Sequence, residues 1–130
     1  MNLRLKTNIN TEVRLNELQS LLQVSSKAAV IRLAIAYSLK LKGDPRIVDN
    51  ETTLSKVKEQ SGADYIRYTI FGSDELFYKL MMEQHLQIHL TDDEFFPELT
   101  NAHLNRGIIE LQAELKLAKS KEKLIMNIMK

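Results

Sequence analysis

Residues 2–9 read NLRLKTNI, and their alternation decides how the chain begins. Leu3, Leu5 and Thr7 share one face, and Asn2, Arg4, Lys6 and Asn8 share the other. That is the period of a half-buried strand. Asn10 can then cap a helix, with Glu12 set favourably against the helix dipole. Val13, Leu18, Leu21 and Leu22 are the expected buried stripe, and the helix stops near Gln23. Val24, Ser25 and Ser26 form a tight turn in which a serine caps a second helix. Ala28, Ile31, Ile35 and Leu39 recur on that helix at helical spacing. Lys40, Lys42, Gly43 and Pro45 mark its end.

Downstream, residues 44–63 are polar and weakly patterned. They are expected to be mostly loop, with room for a short helix through Leu54 and Val57. A second alternating run, Tyr65 to Phe71 (YIRYTIF), reads as a strand closed by Gly72. Ser73 is the expected cap of a third helix with Asp74 and Glu75 in its first turn. Phe77, Leu80, Met81 and Ile88 would form its apolar face. Thr91 or Asp92 opens a further helical segment, which Pro97 must interrupt or restart. Leu104, Ile108, Leu111, Leu115 and Ala118 then recur as a helix-association seam. The expected fold is therefore mainly α with short β-strands, a strand–helix–helix unit followed by a second strand–helix–helix half. The domain is placed at 1–118 (a unit at 1–43, the loop at 44–63, the second half at 64–118). Residues 119–130 are a basic C-terminal extension.

With 130 residues, 44% of them hydrophobic and 27% charged, the composition is that of one globular core. The absence of cysteine excludes a disulfide framework and thiolate metal sites. Neither a signal peptide nor a membrane-spanning run is legible, so a cytoplasmic location is expected. The net charge of +1 hides an asymmetry. Residues 1–46 hold eight basic against three acidic residues, residues 47–100 four against eleven, and residues 101–130 six against three. A polyanion would approach the first segment and avoid the second.

The first unit resembles the ribbon–helix–helix family of DNA-binding proteins. On that resemblance Arg4 and Lys6 would face a DNA groove, flanked by Asn2 and Asn8, and Ser25, Ser26 and Lys27 would clamp a phosphate. An ordinary edge strand with a solvated basic face is the plainer alternative. If strand 3–9 pairs with strand 65–71, each chain builds its own ribbon, and Arg67 joins Arg4 and Lys6 where the polar faces align.

A wider resemblance rests on four runs, RLKTNINTE from Arg4, SSKAAVIRLAIAYSL from Ser25, DYIRYTIFG from Asp64 and HLNRG from His103. Over residues 3–115 they resemble the DndE family of DNA phosphorothioate-modification proteins. The resemblance implies a small non-catalytic subunit of a bacterial DNA sulfur modification system. It would bind double-stranded DNA, prefer nicked duplex, assemble as a homotetramer and work beside the other proteins of that system. Two alternatives stand beside it: a ribbon–helix–helix transcriptional regulator, and an oligomeric scaffold whose acidic middle docks partner proteins.

Within HLNRG, Arg106 suits either a phosphate or an acidic residue of the middle segment. Gly107 inside a helix costs about 1 kcal/mol relative to alanine, which signals close approach by a neighbouring backbone. His85 and His89 stand four apart, but no glutamate follows the first, so neither a metal nor a cofactor is expected. The four glycines are scattered at 43, 62, 72 and 107, and nothing pairs a nucleophile with a base.

Overall fold

The computed structural model describes residues 1–47 and 61–129, with side chains throughout except at 120, 121 and 123–125. The fold is mainly helical with a two-stranded ribbon near its start. Strand β1 (Arg4–Asn8) pairs antiparallel with β2 (Ser61–Ile66), so one chain supplies both strands. Leu5 and Thr7 turn inward and are buried, as the alternation requires. The expected strand at 65–71 lies earlier than its sequence pattern indicated. After Arg67 N donates to Leu3 O (2.8 Å), the chain turns into helix α3 (Arg67–Phe71). Arg67, Ile70 and Phe71 are its buried residues, an i, i+3, i+4 set rather than an alternating one. The expected 44–63 loop falls largely on residues 48–60, outside the described residues, as does the short helix through Leu54 and Val57.

Helix α1 (Ile9–Leu22) is capped by Asn8, whose side chain accepts from Thr11 N at 2.7 Å, two residues before the expected cap Asn10. The buried face shifts accordingly to Thr11, Glu12, Leu15 and Leu18, while Val13 and Leu21 face outward. Ser26 caps helix α2 (Lys27–Lys40) by accepting from Ala29 N at 3.2 Å. α2 buries Val30, Ile31, Ala34, Ile35 and Ser38, a broader face than the sequence stripe, because it packs on α1, α3 and the long C-terminal helix.

Helix α4 (Glu75–Leu86) follows a tight turn at Gly72–Asp74 rather than a Ser73 cap. Of its residues only Met82 is fully buried, and the expected core face is largely outside: Phe77 is 60% and Leu80 53% exposed, with Ile88 beyond them also exposed. Apolar side chains run round most of α4, so periodicity could not choose which of them faces the core. Thr91 and Glu94 then form a reciprocal cap. Phe96 leaves helical geometry (φ −137°, ψ 123°) immediately before Pro97, as a pre-proline residue prefers. Helix α5 (Thr100–Met129) begins directly afterwards. Leu104, Ile108 and Leu111 of the seam are core, Leu115 is half-buried and Ala118 is exposed, so the seam is intramolecular packing up to Leu115. Among the described residues no helix is long and apolar enough to cross a membrane.

Candidate nucleic-acid interface

The first unit offers two features suited to an anion. The outer face of the ribbon presents Arg4 and Lys6, both exposed and without an ion pair among the described residues. The second feature is the start of α2. Ser25 and Ser26 are exposed there, and the Ser26 hydroxyl is committed to Ala29 N. The remaining first-turn N–H groups of a helix have no intrahelical acceptor.

Glu12 joins the two, a role invisible in sequence. Its buried carboxylate accepts from Thr7 Oγ1 of β1 (2.7 Å), from the Tyr65 hydroxyl of β2 (2.8 and 3.0 Å) and from Lys27 Nζ of α2 (3.2 Å). Burial, and then the hydrogen bond to Glu12, push the Tyr65 phenol above its ordinary range, so it stays protonated and donating. Gly62 completes the joint: a Cβ there would lie 2.6 Å from Asn8 O and 2.7 Å from Glu12 Cγ. Lys27 is thus partly neutralised at the position expected to meet phosphate, although about a third of its side chain remains exposed. Asn8 is spent on the α1 cap, and Asn2 donates to Asp93 Oδ1 (3.1 Å).

Arg67 does not join Arg4 and Lys6. Because the chain has turned into α3, its guanidinium enters the body, pairing with Asp92 through two hydrogen bonds (2.6 and 3.1 Å) and with Glu75 through two more. It also donates to Asn2 O (3.0 Å) and lies over the rings of Phe95 and Phe96. The hydrogen bonds to Asp92 and Glu75 raise its already high pKa, and Arg67 in turn holds the Asp92 carboxyl below the usual range. Replacing it by methionine leaves two carboxylates facing each other. Both are more than a third exposed and can regain water, so Arg67→Met should cost about 2–3 kcal/mol in a urea titration, less than a fully buried pair would. Arg67→Lys should recover little of that, since a single ammonium cannot match the planar fork. A methionine variant as stable as the parent would show the cluster to be ornamental.

Among the described residues Arg106 pairs with no carboxylate. It donates to Ser38 Oγ (2.8 Å) and to the carbonyls of Ser38 (2.7 Å), Leu41 (3.4 Å), Lys42 (3.1 Å) and Gly43 (2.9 Å). These carbonyls cluster at and just past the end of α2, where a cation suits a helix C-terminus. His103 Nδ1 meets Ser38 Oγ at 2.8 Å. Arg106 donates to the same hydroxyl oxygen, so Ser38 Oγ joins the two side chains. Burial, then the Arg106 charge, push the imidazole down to about 3, so it is neutral. His103, Arg106 and Gly107 thus share one face of α5 and all act on α2. His85 Nε2 lies 2.6 Å from Leu41 O at the same helix end, whereas His89 is exposed beside Glu83 (3.2 Å).

The sequence profile described as DNA sulphur modification protein DndE matches residues 4–119. The chain belongs to the DndE family. Among solved structures it is similar to a crystal structure of DndE from Escherichia coli B7A involved in DNA phosphorothioation modification. The identity is 18% and the TM-score 0.61, with 85% of this chain and 97% of that one covered. At that identity the likeness establishes a shared fold. No curated protein matches the chain. DndE proteins are non-catalytic accessories of the DNA sulfur modification system.

Proposed function

We propose that this DndE-family chain binds double-stranded DNA as an accessory subunit of phosphorothioate modification, in the cytoplasm, with a preference for nicked duplex. The observation that carries this reading is the pairing of unneutralised Arg4 and Lys6 on the ribbon with the open start of α2, locked together by Glu12. The contact set is Arg4, Lys6, Ser25 and Lys27. Arg67 and Arg106 fall outside it because their donors are consumed within the fold. Asn8 and Ser26 support it as caps.

So small a set of cations at the contact makes one copy a modest binder. A homotetramer would repeat the patch and raise affinity through effective concentration. A nick lowers the cost of bending the duplex, so a protein that gains contacts on bent DNA favours it without reading bases there. We take residues 1–118 as the binding domain and 119–130 as an extension of it.

Fluorescence anisotropy on matched intact, nicked and single-stranded DNA at several salt concentrations tests this. Binding should be tightest to nicked duplex and fall with salt, and Arg4→Ala/Lys6→Ala should lower the slope of log K against log salt by about two. Equal slopes for both proteins would remove the ribbon from the interface, and no binding at low salt would overturn the reading.

One observation favours a second reading, a scaffold that docks proteins. α4 exposes Leu76, Phe77 and Leu80 beside a groove of about 460 Å³ that Leu39 and Met81 also line. Contiguous exposed apolar surface marks an interaction site. This face suits the tetramer or other proteins of the modification system.

A further inference from the structure

We propose that the outer ribbon face reads base edges, that it does so asymmetrically within one chain, and that Asp64 sets its preference. The inference rests on the DNA-binding reading above. Residues opposed in an antiparallel ribbon share a face. The register sets Arg4 against Ile66 and Lys6 against Asp64, and all four are exposed. The inward face belongs to Leu5, Thr7 and Tyr65.

Arg4 and Lys6 are two residues apart, about 6.8 Å along an antiparallel strand, and the strands lie about 5 Å apart. Base pairs stack at about 3.4 Å, so the face spans roughly three of them. A two-stranded ribbon fits the major groove.

The chemistry of the four side chains is complementary to distinct base edges. Arginine and lysine donate to guanine O6 and N7, a carboxylate accepts from the cytosine N4 amino group, and an aliphatic side chain suits the thymine methyl. Asp64 is the informative member. Despite standing opposite Lys6, it forms no ion pair or hydrogen bond among the described residues. Close to phosphate its charge is repulsive. At the groove floor it is compensated where an amino donor stands and left bare against guanine acceptors. It therefore converts general attraction into choice.

Topology adds the asymmetry. A ribbon made from one strand of each of two copies carries a two-fold axis and reads a palindrome. Here RLKTN pairs with SGADYI of the same chain, so the head has no two-fold axis and its site is non-palindromic.

The test is selection from a randomised duplex library with the full chain, followed by anisotropy on the enriched and mutated duplexes. Wild type should enrich a short non-palindromic site containing guanine and cytosine, and lose about tenfold or more when the cytosine is replaced. Asp64→Asn should move the preference at that position to adenine, whose N6 and N7 suit an amide. Asp64→Ala should bind bulk DNA at least as well as wild type and discriminate less. A wild type that binds every duplex alike, or Asp64 variants that keep its preference, would overturn the proposal while leaving DNA binding intact. Failure to bind any duplex at low salt would overturn both.

Discussion

Gly107→Ala should cost the chain a large share of its stability. In an ordinary exposed helix the change would gain about 1 kcal/mol from helix propensity. Here a Cβ would stand 1.8 Å from the carbonyl oxygen of Ala34 and 2.6 Å from its carbonyl carbon. The obstacle is backbone of α2, which no rotamer change removes. The α2 and α5 axes must separate, loosening Val30, Ile31 and Ile35 from Leu104, Ile108 and Leu111 in one shared core. Overpacking of well-filled cores costs about 1–3 kcal/mol, occasionally more. Displacement of a whole helix pair belongs at the top of that range, so a loss of about 4 kcal/mol is expected against a total of roughly 5–15. Urea titration followed by circular dichroism reads it directly. Ala34→Gly should not rescue the variant, because the clash is with the Ala34 carbonyl and not its methyl. A Gly107→Ala protein within 1 kcal/mol of the parent would mean that the helices cross elsewhere than described.

That glycine also shows what the sequence could carry. A glycine inside a strongly helical run has few explanations other than close approach, so its role was legible while its neighbour was not. The strand at NLRLKTNI, the serine cap of α2 and the break at Pro97 were legible for the same reason: each is a local signal with a local cause. The family could be recognised for a different reason, the order and spacing of four short runs. What escaped was non-local. YIRYTIF satisfies both the two-residue and the three-to-four-residue period over its short length, and only its pairing with β1 shows the strand ending at Ile66. α4 is apolar on more than one side, so burial followed from where α2 and α3 stand and not from its own pattern. The same holds for charge. Arg4 and Arg67 look alike in sequence, yet one remains unneutralised and the other is consumed by Asp92 and Glu75. The count of eight basic residues in 1–46 likewise overstates the cations free to meet DNA. Lys27 lies against Glu12, Arg46 against Asp44 and Glu98, and Arg32 donates to the Ile70 carbonyl.

Helix α2 is held at both ends, and the hold at its C-terminal end should give way in acid. His103 is fully buried and neutral, with a pKa pushed down to about 3 from an ordinary 6.5. The unfolded chain protonates this ring near its ordinary value while the folded chain resists, so the unfolded state binds more protons between the two. Stability from this group is therefore complete above about pH 6.5, declines as pH falls through the window down to about 3, and changes no further below it. The expected loss is about 2 kcal/mol between pH 7.5 and pH 5, and about 4 kcal/mol by pH 3. Carboxylates held low in the fold, Asp92 among them, add their own loss only as pH falls below the ordinary carboxylate range toward their folded values. The interval from pH 6.5 to 5 thus separates the imidazole from these carboxylates. His103→Asn supplies the control: its amide can occupy the position of Nδ1 and keep a bond to Ser38 Oγ without titrating. That variant should start about 1–2 kcal/mol less stable yet lose almost nothing over the same interval. Parallel pH profiles for the two proteins would place the acid sensitivity elsewhere. A steep wild-type profile that the variant flattens would tie it to the Ser38–His103–Arg106 cluster, and with it the seating of the helix whose other end faces the proposed phosphate.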